Sequence, residues 1–294
     1  MKIVHFKKQN IEKIGIKTNQ GILDVRRAAK VLNEPSVDSM DALFNDPQNG
    51  LAQLKHLQQK VSEKQLSNVY INEEDIYFLP IFTQPGKIIT VNYNYLLHAS
   101  EQIESVPTVL SFGGKFKNSL AAHNQNIPLP TFAEKYDFGA ELVIVIGKKA
   151  KMISSETALK HIIGYSIGND LSARDLQESS QSQSVGKMLD YFAPVGPYLV
   201  TKDEVDPDDL DISLTLNGEL YQHNNTRNML FSCAEIVSLL SQYMTLLPGD
   251  LIFTGTPEGV LEGNSRLPES NWISSGDTIS VLISGLGTLT NSFF

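Results

Sequence analysis

Runs of apolar residues separated by turn-forming residues predict most of the regular structure in the first eighty positions. Met1–Phe6 and Ile14–Lys17 are strand-like, and Gly21–Asp24 after them resembles a hairpin that ends in a turn. A polar stretch from about Met40 to Leu66 is compatible with helix, and Pro85-Gly86 supplies a breaker. These patterns predict a small N-terminal α+β domain over residues 1–80.

The remainder, residues 81–294, is predicted to be a second, strand-rich domain. Ser232 and Glu235 have the spacing of a capping box, and apolar residues with helical period follow them up to the turn at Pro248. Because the strands do not alternate regularly with helices, the pattern favours an α+β, β-rich core over a doubly wound sheet. The predicted strands are Glu141–Gly147, Ile162–Ile167, Leu210–Leu216, Leu251–Thr254 and Thr278–Ser284.

Composition narrows the classes of function. The 294 residues are 41% hydrophobic, which is enough for a large core, and the net charge of −9 argues against a nucleic-acid partner. The single cysteine, Cys233, excludes an intrachain disulfide and fits a reducing compartment. No apolar run is long enough to span a membrane, and the first residues lack a secretory signal. We therefore expect a cytoplasmic protein without membrane partners.

One short pattern indicates a serine nucleophile. Gly164-Tyr-Ser166-Ile-Gly168 matches the GxSxG elbow of serine hydrolases. In that fold a strand precedes the motif and a helix follows it, whereas here the motif is itself an apolar strand. The only later histidine is His223. A serine hydrolase is therefore the third hypothesis for the function.

Carboxylates stand at the ends of two predicted strands. Glu141 opens one apolar run, Asp170 closes another, and Asp137 has the same strand parity as Glu141. Hard cations such as Mg²⁺ or Mn²⁺ prefer clustered carboxylate oxygens. Taken alone, however, the spacing favours pairing of these carboxylates with Lys or Arg.

A histidine and a glutamate form a second candidate pair. His98 and Glu101 are three residues apart, so in a helix they share a face, and the carboxylate could orient the imidazole as a general base. An ordinary surface pair explains the same spacing.

An ordered series of motifs from about residue 85 to the end favours a functional site over ordinary charge pairing for these residues. In order and content the series resembles the fumarylacetoacetate hydrolase family, in particular its bacterial two-domain members. It includes Asn94-Tyr-x-x-His98-x-x-Glu101, Glu141-Leu-x-x-x-Ile-Gly147, Asn169-Asp-Leu-Ser-Ala-Arg174-Asp-Leu-Gln177, Lys187-x-x-Asp190, and Thr254-Gly-Thr256-Pro257-x-Gly-Val260.

The resemblance implies a fold, a cofactor and a chemistry. The implied fold is a barrel-like roll of mixed β-sheets behind the small N-terminal domain, usually in a homodimer. The implied cofactor is Mg²⁺ or Mn²⁺, acting as a Lewis acid on an enolate. The implied substrates are small 2-oxo or β-diketo carboxylates, which members hydrolyse at a carbon–carbon bond, decarboxylate or isomerise.

The resemblance also implies roles for individual residues. Glu141 and Asp170 match metal ligands. His98 with Glu101 matches the general acid/base pair, and Lys187 matches a lysine that stabilises developing oxyanion charge. Four further positions match residues that shape the site or bind the substrate carboxylate: Lys115, Arg174, Gln177 and Thr256.

The chain departs from the family at one ligand position. Where the family usually has Glu-x-Glu, this chain has Gly139-Ala-Glu141. Asp137 lies roughly 7 Å further along the strand and could substitute only if the strand bulges. We therefore expect metal binding that is weak or requires substrate. The alternative hypothesis is a metal-deficient, non-catalytic member that only binds carboxylates.

Overall fold

The computed structural model of the chain describes residues 1–95, 107–264 and 272–294. In chain order its strands are β1 (Lys2–Lys8), β2 (Ile11–Thr18), β3 (Gly21–Asp24), β4 (Tyr70–Ile71), β5 (Tyr77–Phe78), β6 (Ile88–Asn92), β7 (Ser111–Lys115), β8 (Leu120–Ala121), β9 (Asn126–Ile127), β10 (Tyr136–Asp137), β11 (Ala140–Ile146), β12 (Ile162–Asn169), β13 (Ser172–Ala173), β14 (Ala193–Thr201), β15 (Asp211–Leu216), β16 (Glu219–Asn225), β17 (Leu251–Phe253), β18 (Thr278–Ile283) and β19 (Gly287–Phe293). The α-helices of these ranges are Val25–Leu32, Met40–Asn45, Pro47–Glu63, Ser155–Ala158, Arg174–Ser180 and Cys233–Tyr243.

The predicted strands are confirmed, with bounds that differ by at most three residues. The long polar stretch forms two helices, since Asp46 caps the second and Pro47 occupies its first turn. The capping box of Ser232 and Glu235 is present at the helix Cys233–Tyr243. No helix in the described ranges has the length and apolarity that crossing a bilayer requires.

The N-terminal hairpin joins the main sheet of the chain. Strand β1 pairs with β2 and with β14, so that Lys2 lies opposite Val200. The sheet runs β4-β3-β2-β1-β14-β12-β11-β17-β6-β7, with β5 beside β1 and β8 beside β14, and it is not a closed barrel within the described residues. The predicted β-rich α+β class is confirmed, and the division at residue 80 stays a prediction.

Both faces of the main sheet are buried at its centre. Leu142 and Ile144 of β11 pack in one apolar cluster, and Val143 and Val145 pack in the other. The five-stranded sheet β16-β15-β18-β19-β9 contacts β11, β12 and β14. Burial on both faces explains why β11 is continuously apolar rather than alternating.

Candidate active site

Two buried carboxylates lie at the edge of the sheet where β11 begins and β12 ends. Glu141 is opposite Gly168 in the antiparallel register, and Asp170 follows the last residue of β12. The backbone N–H of Asp170 donates to the carbonyl of Gly139 at 2.8 Å, which holds the residue beside the start of β11. Glu141 is 2% exposed and Asp170 is 5% exposed. Both line one cavity.

The cavity brings together five of the residues selected from the sequence. The space that it encloses, together with the open space at its mouth, is about 470 Å³. Glu141, Asp170, Arg174, Lys187 and Thr256 line it, as does Gly139. His98 and Glu101 lie outside the described residues.

Asp170 is held between two lysines. Lys115 Nζ is 2.6 Å from Asp170 Oδ1, and Lys187 Nζ donates to Oδ2. Burial raises the pKa of Asp170, but the two lysines outweigh burial and keep that pKa below its ordinary value. The carboxylate is therefore ionised at neutral pH.

Lys115 does not line the cavity but supports residues that do. From the end of β7 its Nζ donates to the carbonyls of Leu171 at 2.8 Å and Phe192 at 2.6 Å. Burial lowers the pKa of Lys115 to about 8, although Asp170 opposes the shift. These bonds fix Asp170 and the turn after it, so Lys115 is buried behind the residues that face the cavity.

The surroundings of Glu141 shift its pKa in the opposite direction from that of Asp170. Its Oε2 accepts a hydrogen bond from the backbone N–H of Gly255 at 2.8 Å. Burial and the neighbouring charge of Asp170 raise the pKa of Glu141, and Lys187 only partly offsets them. Two adjacent buried carboxylates are an arrangement that a cation would stabilise.

Asp137, which the sequence suggested as a possible replacement metal ligand, is bound by protein groups instead. Its Oδ1 accepts the backbone N–H of Leu261 at 2.8 Å, and its Oδ2 accepts that of Glu262 at 3.1 Å and Nε of Arg174 at 2.9 Å. It also accepts the N–H of Phe138 at 2.8 Å. Its carboxylate thus ties a loop to a guanidinium, and Asp137 does not line the cavity.

The predicted substrate-binding residues Gln177 and Thr256 also have protein partners. Gln177 accepts a bond from Arg174 Nη1 at 3.2 Å and donates to the carbonyl of Gln183 at 2.7 Å, so it supports Arg174 from behind. Thr256 Oγ1 accepts a bond from Gln222 Nε2 at 2.9 Å. Gln222 also bonds the backbone N–H of Ala140 at 2.9 Å, and therefore links Thr256 to the start of β11.

The structure adds one charged residue to the wall that the sequence motifs did not indicate. Glu262 lines the cavity, and its carboxylate is 3.2 Å from Arg174 Nη1. Burial raises the pKa of Glu262, and Arg174 opposes the shift. A single glutamate after Val260-Leu261 has no periodicity or spacing that could have identified it.

Ser166 lies in the middle of β12 rather than at a strand-to-helix turn. Its side chain is completely buried, and its hydroxyl donates to the carbonyl of Tyr198 at 2.8 Å. His223 is exposed on β16. This geometry does not support a nucleophile elbow.

Comparison with known proteins identifies the class. Residues 87–294 match the family model "Fumarylacetoacetate (FAA) hydrolase C-terminal". The chain is 40% identical to the mitochondrial oxaloacetate tautomerase FAHD2B of Bos taurus, over 74% of this chain and 69% of that protein. It is 42% identical to a 2,4-didehydro-3-deoxy-L-rhamnonate hydrolase of Sphingomonas sp. (strain SKA58), over 69% of this chain and 71% of that protein.

A solved structure agrees over the whole length. The fumarylacetoacetate hydrolase of Exiguobacterium antarcticum superimposes with a TM-score of 0.80 at 29% identity, covering 100% of this chain and 99% of that one. The chain belongs to the fumarylacetoacetate hydrolase family. It is an enzyme of that family, whose named relatives include hydrolases, isomerases and tautomerases.

Proposed function

We propose that this protein catalyses an enolate-type reaction of a small 2-oxo or β-diketo carboxylate, with Mg²⁺ or Mn²⁺ bound by Glu141 and Asp170. The observation that carries the proposal is that two buried carboxylates, Glu141 and Asp170, line one cavity together with Lys187, which donates to Asp170. Carbon–carbon bond hydrolysis, decarboxylation and isomerisation share the enolate, and relatives carry hydrolase, isomerase and tautomerase names.

The donor set fits a hard divalent ion. Mg²⁺ in proteins is commonly bound by one or two carboxylates and keeps several water ligands. Glu141 uses one oxygen for the N–H of Gly255, and the raised pKa of this residue reflects repulsion by Asp170 in addition to burial. Gly139 supplies no side chain, so water or substrate oxygens would complete the shell. When bound, the ion would act as a Lewis acid on the substrate oxygens.

The roles of the chain's own groups follow from their positions. Lys187 carries its ammonium into the cavity beside Asp170, where it can donate to the oxyanion of an enolate. Lys115 keeps Asp170 in place when Lys187 turns toward substrate. His98, oriented by Glu101, is proposed as the group that moves the proton or activates water.

Turnover of a panel of 2-oxo and β-diketo acids with Mn²⁺ tests the proposal. Lys187→Ala and His98→Ala should each lower kcat/KM by roughly a hundredfold or more. Lys135→Ala is the matched control, because Lys135 forms an exposed pair with Glu178 and should leave kcat/KM unchanged. Unchanged turnover of acylpyruvates and oxaloacetate in both test variants would contradict the mechanism.

Gly139 supports a second candidate, a carboxylate-binding member without catalytic metal. Titration of the purified protein with Mg²⁺ and Mn²⁺, with and without oxalate, separates the two functions. Binding in the presence of oxalate supports the enzyme, whereas no binding in either condition supports the binder. The serine hydrolase predicts loss of activity in Ser166→Ala, and an unchanged rate would exclude it.

A further inference from the structure

Strand β16, which the structure describes in full, has one buried residue, and that residue is a glutamine. Gln222 is 0% exposed, whereas Leu220, two positions earlier, is 60% exposed. Residues two apart on a regular strand share a face, so β16 does not alternate regularly here. Gln222 lies opposite Leu214 of β15. The next residue of β15, Thr215, lies opposite Leu220, so Tyr221 is the extra residue of a β-bulge. The bulge turns the amide of Gln222 inward.

The amide of Gln222 joins two segments of the cavity wall. Its Oε1 accepts the backbone N–H of Ala140 at the start of β11 at 2.9 Å. Its Nε2 donates to Thr256 Oγ1 at 2.9 Å and to the carbonyl of Pro257 at 2.7 Å, with a longer contact of 3.4 Å to the carbonyl of Glu258. The side chain therefore holds the strand that carries one proposed metal ligand against the loop that carries Thr256.

The partners of this amide fix the direction of its bond to Thr256. The oxygen must face the N–H of Ala140, since an N–H only donates, and the nitrogen must face the carbonyl of Pro257, since a carbonyl only accepts. Thr256 Oγ1 therefore accepts a proton from Gln222, and its own proton is left for another acceptor. Within the described residues no bond is present in which Thr256 donates that proton.

The free proton of Thr256 belongs to a side chain that lines the cavity. A Cβ on Gly139 would lie 3.3 Å from Thr256 Oγ1, so the hydroxyl is next to the strand that leads into Glu141. A carboxylate is a strong acceptor for such a donor, because hydrogen bonds to ionised groups are stronger than those between neutral groups.

We infer that Gln222 is a positioning residue, which holds the hydroxyl of Thr256 as a hydrogen-bond donor to the carboxylate of the substrate. The inference rests on the proposed function, because it assumes that the cavity binds a 2-oxo or β-diketo carboxylate. Gln222 itself does not touch the substrate and acts through Thr256.

Gln222→Glu reverses this one bond while it keeps the size of the side chain. An ionised carboxylate still accepts the N–H of Ala140, but it has no proton for Thr256 and would accept the hydroxyl proton instead. The dissociation constant of oxalate, measured calorimetrically with Mn²⁺ present, should therefore rise about tenfold or more. Gln242→Glu makes the same chemical change at an exposed glutamine and should leave the constant as in wild type.

A double-mutant cycle separates positioning from a general distortion of the site. Thr256→Val removes the hydroxyl, so in that background Gln222→Glu should have little further effect on oxalate binding. Equal losses in the two backgrounds would overturn the inference. Thr256→Ser keeps a donor and should lose less affinity than Thr256→Val. Equal losses in these two variants would also overturn the inference, and this comparison does not depend on the folding of any Gln222 variant.

Turnover provides a second measurement. A carboxylate that is bound but does not react keeps its charge throughout the reaction, so the lost bond should raise KM about tenfold and change kcat little. A fall in kcat at constant KM would overturn the inference, since it would indicate damage to the reacting groups.

Failure of the proposed function has a separate signature. If wild type bound neither Mn²⁺ nor oxalate, the site itself would be contradicted, and the role of Gln222 with it. Binding by wild type with additive losses in the cycle would overturn only the role of Gln222.

Discussion

One carboxylate oxygen of Asp137 binds both Nε and Nη2 of Arg174, each at 2.9 Å. The Asp137 side chain is fully buried, and its partners include the backbone of the loop that carries Glu262. The pair therefore links the end of β10, the helix Arg174–Ser180 and one wall of the cavity. Both carboxylate oxygens of Asp137 therefore already have protein partners.

Asp137→Asn should destabilise the protein strongly. Neutralising one partner of a buried ion pair typically costs about 3–5 kcal/mol, and Arg174 would keep only the less buried carboxylate of Glu262 as its counter-charge. Urea unfolding monitored by circular dichroism measures the loss. Asp209→Asn removes the exposed partner of Arg227 and should change the unfolding midpoint little. Similar effects of the two substitutions would contradict the structural role of Asp137.

Lys115→Met should impair stability and metal binding together. The carbonyls of Leu171 and Phe192 would lose their donor, and each unpaired buried group costs about 1–3 kcal/mol. Asp170 would lose one of its two cations, so its pKa should rise. Thermal unfolding and Mn²⁺ titration measure both effects. If Lys115 instead bound substrate directly, KM would rise while stability stayed unchanged.

Gly139→Glu should restore a third carboxylate to the site. We expect Mn²⁺ affinity to increase by about tenfold or more, because ligand charge sets the affinity for hard cations. A Cβ at this position would lie 3.2 Å from Thr256 Cβ, so the side chain of Thr256 has to yield slightly. Gly139→Ala carries the same steric cost, on the order of 1–3 kcal/mol, without the carboxylate. Equal Mn²⁺ affinities of the two variants would contradict the missing-ligand interpretation.

Glu141→Gln should stabilise the protein in the presence of a chelator, in a pH-dependent manner. Because burial and Asp170 raise the folded-state pKa above the ordinary 4.5, the charged form costs stability above the folded-state pKa. The stabilisation should be complete above that raised pKa and should disappear as the pH falls to about 4.5. Urea midpoints at pH 5 and pH 8 measure the trend.

Glu156→Gln is a control for which the change in stability at neutral pH should have the opposite sign from that of Glu141→Gln. A hydrogen bond from Ser154 lowers the pKa of Glu156 in the folded protein. The ionised form of Glu156 therefore stabilises the fold at pH values above its ordinary pKa, and this stabilisation is lost as the pH falls through the lowered pKa. Glu156→Gln should therefore lose stability at neutral pH and approach wild type as the pH falls. A gain for Glu141→Gln that did not vary with pH would show that the carboxylate charge is not its source.

Much of the local structure could be predicted because it depends on neighbouring residues. The apolar run of β11 and the capping box at Ser232 carry their signals within a few positions. Strand β14 was missed, since Pro194 and Pro197 interrupt its pattern, and a pairing with β1 and β12 stabilises it nevertheless. Pairing with strands that are distant in the sequence determines whether such a segment forms a strand.

The sequence by itself determined the family, through the order of its motifs, and the glycine at position 139. The tertiary structure decided which charges face the cavity. Lys115 lies behind it because its ammonium binds the carbonyl of Leu171, and Glu262 faces it because its backbone N–H binds Asp137. The first of these contacts joins residues 56 positions apart and the second joins residues 125 positions apart, so no local pattern encodes them.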